Sequence, residues 1–115
     1  MEIATKENIE DFLKGYMSCA LWTEEKEGET ISKDQCNEMR SDCNDFLKEN
    51  ENLIDQGEPI NKWQWSIYNQ AGHDFWLTRN GHGTGFWDRP EVWGKSQAEI
   101  LTKNSKYWGE YYLDI

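Results

Sequence analysis

No stretch of this chain comes near the roughly 18 consecutive apolar residues that a membrane span needs. Its first residues show no charged start followed by an apolar run. Neither a membrane span nor a secretory leader is therefore expected. Cysteine is sparse and odd in number, with only Cys19, Cys36 and Cys43, which argues against a closed disulfide framework. On one helix, Cys36 and Cys43 would stand about 10 Å apart at 1.5 Å per residue, beyond the roughly 7 Å that a disulfide spans between Cα atoms. Reduced thiols and a cytosolic setting follow. Aliphatic residues are scarce too: there is one Val, there are seven Leu, and the hydrophobic fraction is 37%, below the usual range of about 45–50%. Seven Trp compensate, since each aromatic can bury roughly 150–250 Å².

What is present is charge of one sign, unevenly spread. The 115 residues carry a net charge of −10 and fit one domain, 1–115. Residues 1–60 hold 16 Asp and Glu against 6 Lys and Arg, whereas residues 61–115 hold 6 of each. The chain thus divides into an acidic helical half (1–58) and an aromatic half expected to be mostly β (59–115). A field this negative repels nucleic acid and anionic membranes and favours basic partners.

Two helices are legible in the acidic half. Ile9, Phe12, Leu13, Tyr16, Met17 and Ala20 recur at amphipathic spacing behind a candidate N-cap, Thr5. Residues 23–30 (TEEKEGET) read as a charged loop. Ser32 and Gln35 form a candidate capping box ahead of the stripe Cys36, Met39, Cys43, Phe46 and Leu47, extended by Leu53 and Ile54 and ended by Gly57 and Pro59.

Beyond residue 60 the period changes to two. Trp63, Trp65 and Ile67 alternate with polar or amphipathic residues, which predicts a strand. A second strand is expected over residues 73–78 (HDFWLT), a hairpin turn at Asn80-Gly81, and a third strand at Phe86-Trp87. Pro90 opens a short helix reaching Leu101, and residues 107–115 (YWGEYYLDI) read as a last strand. The expected fold class is α+β: two N-terminal helices packed on a three- to four-stranded antiparallel sheet, with a short helix before the last strand.

Two surfaces carry candidate chemistry. Asp34, Glu38, Asp42, Asp45 and Glu49 recur at spacings of four, four, three and four, within about 80° of one another on a helix and about 5–6 Å apart along its axis. Such a carboxylate row suits a groove built for phosphates, though it also describes the solvated face of any amphipathic helix. Glu24, Glu25, Glu27 and Glu29 would support it. The second surface is residues 72–89 (GHDFWLTRNGHGTGFWDR), where His73, Asp74, Arg79, His82 and Asp88 cluster. They could hold a metal or an anion, or perform acid–base chemistry. The spacing matches no standard zinc motif and the Walker pattern is absent. A glycine-rich turn with a local ion-pair network explains the same residues without a ligand. No catalytic set, metal site or cofactor is assigned.

The run at 72–89, together with Tyr16-Met-Ser-Cys19-Ala20-Leu21-Trp22, resembles a small, mostly uncharacterised family of proteins encoded by bacteriophages and other mobile elements. The likeness covers most of residues 9–89. It implies an accessory protein acting in the cytoplasm of a bacterial host cell and supplies no reaction, so no catalytic residue is carried over. The tail, residues 107–115, departs from the Gly/Asp-rich ending of that family. The expected function is a non-enzymatic inhibitor of a host nucleic-acid-processing or defence protein, of the anti-restriction or anti-CRISPR type. Its acidic surface would occupy the partner's basic, nucleic-acid-binding surface. No direct binding of nucleic acid is expected, and the protein would be a monomer or a homodimer. The alternative is a small metal- or anion-binding domain or enzyme with its site at the 73–88 hairpin.

Overall fold

Thr5 opens the first helix by accepting a hydrogen bond from the Asn8 N–H at 3.2 Å. In the computed structural model, which describes residues 5–60 and 64–115, helix α1 runs Lys6–Thr23 and buries Phe12, Leu13, Tyr16, Cys19 and Ala20. Its end is a Schellman turn: Lys26 N–H donates to Leu21 O at 2.8 Å and Glu25 N–H to Trp22 O at 3.2 Å. Glu25 holds φ 56° there, a left-handed position where glycine is usual.

Ser32 starts α2, Lys33–Asp55, by accepting from Gln35 N–H. The reciprocal half of the box does not form, because Gln35 turns to the chain's far end. Its Nε2 donates to Tyr112 O at 3.0 Å and its Oε1 accepts from Asp114 N–H at 2.8 Å. Met39, Cys43, Phe46, Leu47 and Ile54 are buried on the expected stripe.

The aromatic half is where the expectation fails. Among the described residues there is no strand, and the fold is an all-helical bundle rather than α+β with a sheet. Trp63 lies outside the described residues. Trp65 precedes Ser66, which caps α3, Ile67–Arg79, by accepting from Asn69 N–H at 3.0 Å. The supposed second strand, 73–78, is the middle of that helix. From Gln70 to Arg79 every residue of α3 except His73 is buried. A helix covered on nearly all sides needs no amphipathic stripe, so its short apolar runs look like those of a strand.

Asn80-Gly81 is not a hairpin but the end of α3. Gly81 has φ 71°, and the two Schellman bonds run from His82 N–H to Leu77 O at 3.0 Å and from Gly81 N–H to Thr78 O at 3.2 Å. Asn-Gly suits either turn because both need a left-handed residue. Phe86–Asp88 is one turn of 3-10 helix rather than a third strand. The helix expected from Pro90 is two: α4, Pro90–Trp93, and α5, Lys95–Tyr107, with Gly94 between them. Residues 108–115 form an irregular tail, not a last strand.

Packing follows from a close crossing. A Cβ at Gly15 of α1 would sit 2.1 Å from the Asn69 carbonyl oxygen, and one at Gly72 of α3 would sit 2.0 Å from that of Phe12. The two backbones therefore touch. Around them lies an aromatic core in place of the missing aliphatics. Phe46 stacks on Phe75 at 4.0 Å and 9°, and Tyr16 meets Trp76 edge-on at 5.2 Å. Asn104 of α5 donates to buried Asn50 of α2 at 2.7 Å.

Gly72→Ala is expected to destabilise the protein by about 3 kcal/mol, since the methyl group must push two backbones apart. Glu25→Gly is expected to shift stability the other way by about 0.5 kcal/mol, by relieving the left-handed φ. Urea unfolding of both variants beside the parent checks the two signs together.

Candidate functional site

Arg79, at the end of α3, is buried with every nitrogen engaged. Its Nε donates to Gly109 O at 2.8 Å and its Nη2 to Trp108 O at 3.2 Å. Nη1 donates to the Tyr16 hydroxyl at 2.9 Å and to Asp42 Oδ2 at 3.0 Å. The guanidinium also lies 5.3 Å from the ring centroids of Phe75 and Tyr111. Arg79 is therefore a structural clamp that holds the tail, and it consumes Asp42 from the acidic row. Elsewhere the tail lies on that half of the molecule. Tyr111 donates through its hydroxyl to Glu38 Oε1 at 2.7 Å, and Leu113 N–H donates to Glu24 Oε2 at 2.9 Å.

The remaining row stays in solvent. Asp34, Glu38, Asp45 and Glu49 are exposed on α2. Lys33 and Lys48 are exposed beside them, and Arg40 pairs with Glu10 of α1. Glu110 and Asp114 of the tail are exposed as well. Of the supporting glutamates, Glu29 is exposed, Glu24 holds the tail, and Glu25 and Glu27 line a groove beside Trp22.

The other candidate cluster is split by α3. Asp74 is fully buried, accepting from Arg89 Nε at 2.8 Å, from Trp93 Nε1 at 2.9 Å and, more distantly, from Gln70 Nε2 at 3.4 Å. Burial pushes its carboxyl up to about 6, outweighing Arg89 and the other donors, which favour the anion. His73 precedes it, and its ring stacks on Trp65 at 4.1 Å and 12°. Burial, then the charge of Arg89, pushes the imidazole down to about 4, so it is neutral near pH 7. Asp88 is a local cap, accepting from Gly85 N–H at 2.9 Å and from the Thr84 hydroxyl at 2.8 Å. His82 lines the groove next to Gly83 and Thr84. Arg79, six residues from His73, lies about 120° round the helix and faces α2 and the tail. The five residues do not form one site.

Among the described residues no group of three or more His, Cys, Asp or Glu could hold a metal ion, and no helix is long and apolar enough to cross a membrane. What the fold does assemble is a groove of two adjoining hollows, about 780 and 560 Å³, which share Trp22, Glu27, Leu77 and Thr84. His73, Trp65, Asn69 and Arg89 line the smaller one. Trp22 was the missed residue. Its signal is legible, since a Trp stands off the apolar stripe of α1 and ends the Cys19–Trp22 phrase. Trp65 gives no such signal, because its alternation with Gln64 and Ser66 reads as a strand.

Asp74 and His73 titrate against each other. The raised Asp74 carboxyl binds its proton more tightly when folded, so its contribution to stability falls as pH rises from about 4 to 6. The depressed His73 imidazole takes its proton more readily when unfolded, so its contribution is complete above 6.5 and is lost as pH falls toward 4. The displacements are similar in size and opposite in sense. Unfolding free energy measured by urea across pH 4–6.5 should therefore climb with pH in Asp74→Asn and fall with pH in His73→Gln. Each slope should approach about 1.4 kcal/mol per pH unit, with the parent lying between them. Compared with protein families, with curated proteins and with solved structures, the chain gives no match.

Proposed function

We propose that this protein is a non-enzymatic accessory protein of a phage or other mobile element that binds the basic, nucleic-acid-binding surface of a host protein and competes there with DNA or RNA. The observation that carries the reading is the row Asp34, Glu38, Asp45 and Glu49, exposed along one 23-residue helix while Arg40 is drawn off to Glu10. The four stand in two pairs, about 6 Å apart within each pair and about 10 Å between them along the axis, spacings of about two and three of the 3.4 Å steps by which phosphates follow one another along one strand. Helix α2 is rigid because its other face is buried through Phe46, Leu47 and Ile54. Glu110 and Asp114 add charge where the tail crosses the start of α2. Charge of one sign on a fixed scaffold speeds encounter with a basic partner and makes binding steeply salt-dependent.

Asp42 is excluded from the contact set, since it balances Arg79 inside the fold. The test therefore uses the exposed pair. Retained from bacterial lysate at low salt and identified by mass spectrometry, the partner should be a nucleic-acid-processing protein that high salt or added DNA releases. The double variant Asp45→Lys/Glu49→Lys should weaken its affinity at least tenfold, about 1.4 kcal/mol, with unfolding unchanged. Undiminished binding by that variant would sink the proposal.

A further inference from the structure

The groove between α1 and α3 lies on a different side of α3 from the acidic row. Phe75, which stacks on Phe46 of α2, is two residues from both His73 and Leu77, about 200° round the helix from each. Its walls are aromatic. Trp22 is 61% exposed and lines both hollows. The Trp65–His73 stack supplies a second flat surface in the smaller hollow. That hollow, about 560 Å³, falls within the size range of small-molecule sites.

Its charge is set by subtraction. Among the described residues that line the groove, Arg89 is the only lysine or arginine, and its Nε is bound to the buried carboxylate of Asp74, which balances it. Burial keeps the His73 imidazole neutral near pH 7. Glu25 and Glu27 have no such partner cation among the described ion pairs, so the groove is negative. Anionic ligands, nucleotides included, meet those carboxylates and a net charge of −10. An exposed indole beside a carboxylate is the pairing that holds an organic cation, with the ring face attracting the charge and the carboxylate balancing it.

The geometry points to a binding site for a small organic cation, an alkylated amine, in the groove at Trp22, Trp65 and Glu27. It is independent of the α2 row, so the Asp45→Lys/Glu49→Lys variant keeps it intact. Choline is the probe, and its uncharged isostere 3,3-dimethylbutanol is the control. Titration of the full chain, followed through the Trp indole N–H signals by NMR, should saturate with choline and shift Trp22 and Trp65. The alcohol should bind at least tenfold more weakly. Trp22→Ala and Glu27→Gln, both at exposed positions, should each weaken choline binding roughly three- to thirtyfold without changing the melting temperature. Failure to saturate, equal binding of the alcohol, or unchanged affinity in both variants would overturn the assignment.

Discussion

The Arg79 guanidinium is the hub on which the arrangement of the chain depends. It rises from the end of α3, meets Tyr16 of α1 and Asp42 of α2, and takes the carbonyls of Trp108 and Gly109. A buried cation is tolerated only with full partnering, and removing one partner of such a pair costs about 3–5 kcal/mol. This one is met by a carboxylate, a hydroxyl, two carbonyls and aromatic faces. It therefore fixes where the tail leaves α5, and with it which carboxylates of α2 are covered and which stay in water. Tyr111 and Asp114 then find Asn80, Glu38 and Gln35 because the chain is already aimed at them.

Asp74 plays the matching part on the other side of α3. Its carboxylate orients Arg89 and Trp93, and so joins the segment after the 3-10 turn to the helix. In doing so it removes the positive charge of Arg89 from the groove and leaves Glu25 and Glu27 to set the sign. Two buried ion pairs on one helix thus divide the molecule's surface. One side is an acidic face on α2, the other a groove of indoles and carboxylates. The net charge of −10 hides this division, because the same glutamates that read as one acidic loop belong to different surfaces.

The first two helices were legible because their evidence was local. Thr5 and Ser32 cap where the chain has a free hydroxyl just ahead of a 3.6-residue stripe. The aromatic half was misread for a physical reason. Alternation in Trp65, Ile67 and their neighbours, and the run Phe75–Leu77, carry strand-like patterns only if one face meets water. Here the run sits in α3, which passes through the centre with almost no solvent face, whereas the alternation straddles Ser66, the cap that opens that helix. Asn80-Gly81 identified a left-handed residue correctly and the wrong turn around it, since a Schellman end and a hairpin make the same local demand. The candidate site was half legible. Of the hairpin set, His73 and His82 line different hollows of the groove, while Asp88 caps a turn and Arg79 faces away; Glu25 and Glu27, expected on the acidic surface, line the groove instead.

By itself the sequence determined the charge asymmetry, the first two helices with their caps, the reduced cysteines' separation along α2, and a core that must be aromatic because valine and leucine are few. Each depends on composition or on residues within a few turns of one another. Only the tertiary structure decided that the second half is helical, that Asp42 is spent on Arg79, and that Trp22 and Trp65 border one groove. Those outcomes depend on the contact of Gly15 and Gly72 with the opposing backbones and on ion pairs 15 and 37 residues apart. No local pattern encodes distances of that kind.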